Sequence, residues 1–228
     1  MIKIIIIVLL ILFLFATYQN NNTEHFDTEL TRINKTKLLQ CMLAVHELFE
    51  EQKIWYMISF GTLLGAVRHR NVIPWDDDID LIVQHSDIDR IKIAFKQLED
   101  MGYKTEITYK LLRVYATDKY FIDFFIVHNE NNKIMRCSTD TSNCTYPDES
   151  EEWWHKWFGF DHKYIESKKM FQLGGLSLWG PTDSWNLLRF WYGDDFLTTC
   201  KTHYLKDHTT VVDQKMEKCQ LSPIQPQF

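Results

Sequence analysis

Gly61-Thr62-Leu63-Leu64-Gly65-Ala66-Val67-Arg68-His69-Arg70-Asn71-Val72-Ile73-Pro74-Trp75-Asp76-Asp77-Asp78-Ile79-Asp80 sets four carboxylates in its last five positions, directly ahead of the apolar run Leu81-Ile82-Val83. Like charges this dense repel, and burying even one without a partner is costly. The cluster therefore needs solvent, basic side chains or a cation to neutralise it. Read as a strand, residues 79–83 place Asp78 and Asp80 on one face and Ile79 on the other, with the two Cα atoms about 6.5 Å apart at about 3.3 Å of rise per residue. Carboxylates so placed can share one or two divalent ions, and hard oxygen donors select Mg²⁺ or Mn²⁺ over Zn²⁺. Metal pairs about 3.5–4 Å apart are the usual clamp for in-line displacement at phosphorus. A Ca²⁺ loop of EF-hand type would also use Asp76, Asp78 and Asp80, but it calls for Gly at its sixth position, where Leu81 stands. A solvated acidic loop is the bland alternative, and the alternation with Ile79 argues against it.

A third carboxylate is expected from a neighbouring strand. Asp123 fits, as the lone charge in Tyr120-Phe121-Ile122-Asp123-Phe124-Phe125-Ile126-Val127. It can ligate metal, take a proton from an acceptor hydroxyl, or simply pair with Arg113 as a satisfied buried acid. Upstream, residues 54–60 read as a strand, with Gly61 and Thr62 at its end, where a missing side chain lets backbone N–H groups approach a phosphate. Arg68, His69 and Arg113 are basic groups able to meet a phosphorylated donor, or merely to stabilise loop and strand edge. His69 is also a candidate base, because an unperturbed imidazole titrates near neutrality.

Two blocks, Gly61-Thr62-Leu63-Leu64-Gly65-Ala66-Val67-Arg68-His69 and Ile73-Pro74-Trp75-Asp76-Asp77-Asp78-Ile79-Asp80, resemble the signature of the LicD family, which includes the fukutin and fukutin-related branch of the nucleotidyltransferase-fold superfamily. Ile122-Asp123-Phe124-Phe125 resembles its third-acid strand. Leu176-Ser177-Leu178-Trp179-Gly180-Pro181 and Leu187-Leu188-Arg189-Phe190-Trp191-Tyr192-Gly193-Asp194 resemble its C-terminal element, so the likeness spans roughly residues 38 to 196. The resemblance implies transfer of a phosphorylated group, such as phosphocholine or ribitol phosphate, from a CDP-activated donor to a glycan acceptor. It makes Asp78 and Asp80 metal ligands, Asp123 the third carboxylate, Asp76 a further acid, and Gly61 and Thr62 the phosphate-facing turn. Residues 128 to 175 depart from the family pattern. Two other readings stand beside this one: a nucleotidyltransferase acting on a small molecule or nucleic acid, and a non-catalytic domain that binds a glycan or a partner.

Composition bounds these choices. At 228 residues, with 45% hydrophobic and 14% aromatic content, the chain has room for one ordinary core. A net charge of −6 argues against a general nucleic-acid binder, which needs clustered Lys and Arg. Residues 4–16 are uninterruptedly apolar and cover roughly 20 Å of a hydrocarbon layer about 30 Å thick, a short span that neighbouring residues extend. No small-x-small cleavage site follows, so an uncleaved single-pass anchor is expected, with secretion after signal cleavage as the alternative. Lys3 before it and Glu24, Asp27 and Glu29 after it favour a type II orientation, with the domain in a Golgi or ER lumen if the source is eukaryotic. Sequons at Asn21, Asn34 and Asn143 are compatible with that side, as is a small disulfide between Cys137 and Cys144.

The expected organisation is an anchor over residues 1–18, a polar stem over 19–36, a catalytic domain over 37–205 and a polar tail over 206–228. Within the domain, an amphipathic helix over 37–53 leads into the 54–60 strand, Ser86 and Asp89 resemble a capping box opening a second helix, and strands follow at 104–108, 111–116 and 120–127. Residues 128–152 read as a long loop. The fold class is α/β (α+β): a nucleotidyltransferase-like mixed sheet flanked by helices, preceded by one transmembrane helix.

Overall fold

A computed structural model of the chain describes residues 29–140, 144, 157–205 and 211–218. The expected anchor and most of the stem lie outside the described residues. No helix among those described is long and apolar enough to cross a membrane.

Helix α1, Glu29–Glu51, starts eight residues ahead of the expected boundary, so residues 29–36, read as stem, form its first turns. It buries Leu38, Met42, Val45 and Phe49 at helical spacing. Strand β1, Tyr56–Ile58, is shorter than the apolar run predicts, because helix α2, Phe60–His69, begins inside that run. The two acid-bearing strands are β2, Asp78–Gln84, and β5, Phe121–Glu130. Between them lie helix α3, Ile88–Asp100, and the antiparallel pair β3, Lys104–Ile107, and β4, Leu112–Tyr115. The expected capping box does not form. A 3-10 turn over His85–Asp87 takes up Ser86, and Asp87 accepts the Trp55 backbone N–H at 2.8 Å instead.

The sheet runs β1-β2-β5-β4-β3, mixed as expected: β2 and β5 are parallel, and the other pairs of that path are antiparallel. Residues 128–136, read as loop, are instead the end of β5 and strand β6, Lys133–Arg136, joined through Asn131 and Asn132. Both asparagines take positive φ, 50° and 63°, the conformation a two-residue hairpin turn requires and one Asn tolerates. Strand β7, Phe160–Asp161, pairs with β6, and the hairpin of β8, Lys168–Leu173, and β9, Leu176–Pro181, precedes helix α4, Ser184–Tyr192. A second hairpin, β10, Thr199–Leu205, and β11, Val211–Lys218, follows.

Alternation along β5 divides the core. Phe124, on one face, meets Phe49 of α1 and Phe95 of α3 at ring separations of 5.7 and 5.2 Å. Phe125, on the face that carries Asp123, meets Phe60 of α2 at 5.2 Å, and Phe60 in turn meets Trp191 of α4 at 4.5 Å. So α1 and α3 cover one face, and α2 and α4 close over the other beside the acids.

The second glycine of the motif has a packing role. A Cβ on Gly65 would sit 2.6 Å from the Asn71 carbonyl oxygen and 3.2 Å from Ile73, where the chain turns back from α2 toward the acids. Gly65→Ala is expected to destabilise the protein by about 1–3 kcal/mol despite alanine's better helix propensity. A lower urea midpoint at unchanged m-value checks this.

Candidate active site

The site follows from strand register. Asp78 and Asp80 lie two residues apart on β2, so they share a face, and the parallel ladder sets Asp80 directly beside Asp123 of β5. The antiparallel ladder continues the row by setting Asp123 beside Arg113 of β4, and Arg113 beside Glu106 of β3. Arg113 donates to Asp123 through two bonds, Nε to Oδ1 at 2.5 Å and Nη2 to Oδ2 at 2.8 Å, and its guanidinium lies 3.7 Å over the Phe121 ring. The structural pairing weighed for Asp123 is thus present. Each carboxylate oxygen has a second lone pair, so the pairing leaves Asp123 acceptor capacity toward Asp80 and Asp78.

The electrostatics follow from this shared face. Burial pushes Asp76 up to about 7, helped by Asp77 and opposed by Lys35 and Arg68. Asp78 and Asp80 are pushed well above the usual carboxylate range, first by burial and then by the neighbouring carboxylates, Asp123 among them, with Arg113 pulling the other way. For Arg113, burial works against the charge, but the hydrogen bonds and charge of Asp123 outweigh it and hold the guanidinium protonated. With Arg113 paired to Asp123, the half-buried carboxylates beside it leave negative charge that a divalent cation would compensate. The donor set, carboxylate oxygens alone, suits Mg²⁺ or Mn²⁺.

The start of α2 shapes the other wall. Gly61 and Thr62 occupy its first turn. A Cβ on Gly61 would lie 3.0 Å from Asp76 Oδ2 and 3.9 Å from Asp80 Oδ2, so the missing side chain is what lets these acids close against the helix. Thr62 is buried, and its hydroxyl accepts the Asp80 backbone N–H at 2.7 Å, while Ser59 donates its own N–H to the Asp80 carbonyl at 3.0 Å. These two bonds pin the acid strand to the helix. The helix's positive end also faces the carboxylates, a setting that receives phosphate.

Arg68, one helical face further on, is buried, donates to the Phe196 carbonyl at 3.2 Å, and shares a cavity of about 260 Å³ with Gly61, Trp75, Asp76, Trp157 and Tyr192. Burial lowers its pKa, while Tyr192 and Asp76 support its charge. His69 lies apart from this wall. Burial, then Arg68 and Lys35, push it down to about 4, so near neutral pH it is uncharged, and its Nε2 is buried without a hydrogen-bond partner.

Sequence reasoning singled out neither Tyr192 nor Lys35. The Tyr192 hydroxyl is raised well above its ordinary value by burial and then by Asp80 and Asp76, which places it against the acids. Its only signal was membership of the C-terminal block. Lys35 reaches from α1 to the Ile73 carbonyl at 3.1 Å and to that of Pro74, anchoring the segment that delivers Asp76. It sat inside the supposed stem.

The chain is similar to several known proteins. The chain is 35% identical over 148 residues to an uncharacterized protein of Rickettsia prowazekii, covering 64% of this chain and 50% of that one. It is 39% identical over 71 residues to the lipopolysaccharide cholinephosphotransferase LicD of Haemophilus influenzae, covering 31% and 27% respectively. The chain therefore spans half or less of the length of these relatives. Among solved structures, the lincosamide antibiotic adenylyltransferase LnuA in its lincomycin-bound form superposes with a TM-score of 0.38 at 13% identity, over 68% of this chain and 96% of that one. Residues 53–183, more than half of the chain and inclusive of every acid described above, match the family described as LicD/FKTN/FKRP, nucleotidyltransferase domain, and the chain belongs to that family.

Proposed function

We propose that this chain transfers a phosphorylated alcohol or sugar, such as phosphocholine or ribitol phosphate, from a CDP-activated donor to a glycan acceptor. The observation that carries the reading is the register of β2 on β5, which lays Asp80 beside Asp123 on a face also held by Asp78. Family membership supports a transferase of this class.

In this reading Asp78, Asp80 and Asp123, with Asp76 at the rim, hold Mg²⁺ or Mn²⁺. The cation supplies charge neutralisation at the donor diphosphate, the largest contribution to rate in such displacements. The N-terminal turn of α2, at Gly61 and Thr62, receives phosphate oxygens. Arg68 and Tyr192, which line the cavity together with Asp76, would contact the donor. Arg113 orients Asp123 through two hydrogen bonds, and Asp123 would hold the cation or take the proton from an acceptor hydroxyl. His69, its basicity lowered by burial and by Arg68 and Lys35, is the poorer candidate base.

Two outcomes test this. Incubation with a panel of CDP-alcohols should release CMP only when Mg²⁺ or Mn²⁺ is present. Asp78→Asn and Asp80→Asn should each lower that release by about 10³-fold or more while circular dichroism stays unchanged. Release that survives chelation or both substitutions overturns the reading.

The second concerns pH. A carboxyl raised by folding holds its proton in the native state after the unfolded chain has lost it. Asp76 therefore makes the cation-free protein less stable as pH climbs from 3.8 to about 7. His69 acts oppositely between about 4 and 6.5, so the diagnostic quantity is the melting shift that the cation itself produces. Mn²⁺ should raise Tm more at about pH 8 than at about pH 5, because protons compete for the same oxygens. Equal shifts at both pH values would count against metal binding at these acids.

A further inference from the structure

Strands β2 and β5 have a second shared end. Beyond Gln84 and its register partner Val127, four residues past Asp80 and Asp123, lies a cavity of about 300 Å³, at the low end of small-ligand sites. At about 3.3 Å per residue its floor is about 13 Å from the acids. None of the motifs reaches it.

Its lining differs in kind from that of the acid site. Among the described residues its lining contains no Lys, Arg, Asp or Glu. It presents one indole, Trp55, the amides of Gln84 and Asn129, and the imidazoles of His85, His128 and His162. Burial lowers the pKa of His128, which favours the neutral ring. The walls are held in place: the Trp55 backbone N–H is fixed on Asp87 at 2.8 Å, and His85 Nε2 lies 2.7 Å from the Asp140 carbonyl oxygen. His128 Nδ1 contacts both sulfurs of the Cys137–Cys144 disulfide. Of the cavity's three imidazoles only His128 lies at metal-ligand spacing from other donors, the Cys137 and Cys144 sulfurs, and those bond each other.

Among the described lining residues an anion finds no Lys or Arg and a cation no carboxylate, while Glu130 acts on His128 from outside the lining. An aromatic face flanked by amides, each carrying donor and acceptor, suits a ligand with one apolar face and a rim of hydroxyls. We infer that this cavity is a carbohydrate subsite. It seats one uncharged sugar ring on the Trp55 indole, with Gln84 and Asn129 hydrogen-bonding its hydroxyls, and so holds an extended glycan about 13 Å from the acids. That the glycan is the acceptor rests on the function proposed above; that the cavity binds sugar does not.

Fluorine NMR of protein labelled with 5-fluorotryptophan, the Trp55 signal assigned with Trp55→Phe, reads the site directly. Titration with glucose, galactose, mannose, N-acetylglucosamine and N-acetylgalactosamine should move the Trp55 resonance for at least one sugar. Gln84→Ala and Asn129→Ala, both at exposed positions, should each weaken that sugar by about tenfold. Asp78→Asn should leave the titration unchanged. Failure of every sugar to move Trp55, a shift that both alanine variants retain in full, or a shift produced by inorganic phosphate or Zn²⁺ instead overturns the inference. Sugar binding without CMP release sinks the transferase reading alone, and CMP release without sugar binding sinks the subsite alone.

Discussion

The lateral register of two parallel strands carries the rest of the molecule. Because β2 and β5 run the same way with Asp80 level with Asp123, one carboxylate pair is built into the ladder itself, and Asp78 joins it by alternation. A one-residue slip would turn every β2 acid into the apolar layer against α1 and α3 and bring Ile79 to the site. The hydrophobic face therefore enforces the polar one. Parallel neighbours need a crossover, and the intervening α3, β3 and β4 supply both the connection and Arg113, the guanidinium that pairs with Asp123. Chain topology and charge balance have the same cause.

Helix α2 meets this arrangement from above, and its start is strained. Phe60 has φ of 44°, in the left-handed region that a bulky side chain avoids, at a cost of about 1–3 kcal/mol. Contacts of its ring with Phe125, Trp157, Phe158 and Trp191 hold it there. The result is a helix that begins two residues after β1 ends, close enough for Gly61 to lie against Asp76 and for Thr62 to accept the Asp80 N–H. Strain at the aromatic residue is what brings a helix N-terminus to the carboxylates.

The acids were legible because their pattern is local: four carboxylates and the alternation with Ile79 announce a strand with a charged face, and the lone Asp123 in an aromatic strand announces its neighbour. Mixed sheet, flanking helices and the Cys137–Cys144 bridge follow from similarly short signals. What stayed hidden depends on long-range geometry. The run 54–60 reads as one strand, since no local rule forecasts that packing will force Phe60 into a helix start. The capping role of Ser86 failed because Asp87 is claimed by Trp55, 32 residues earlier in the chain. The hairpin turn at Asn131-Asn132 carried a readable cue in two residues that tolerate positive φ, masked by the polar composition around it. Tyr192 and Lys35 reach the site only through tertiary contacts, from segments whose own sequence suggests a core helix and a stem.

The two ends of the β2–β5 pair divide labour by charge. At the acid end, Asp78 and Asp80 are pushed above the usual carboxylate range by burial and by the neighbouring carboxylates, an unfavourable gathering of like charge. At the far end the described lining carries no Lys, Arg, Asp or Glu, with the Trp55 backbone N–H held by Asp87 and His85 Nε2 2.7 Å from the Asp140 carbonyl oxygen. Between them, the Phe60, Phe125 and Phe158 rings form an apolar bridge. A small metabolite confined to one end feels nothing of the other. Only an extended molecule spans about 13 Å, and a neutral oligosaccharide reaches the far end without burying charge.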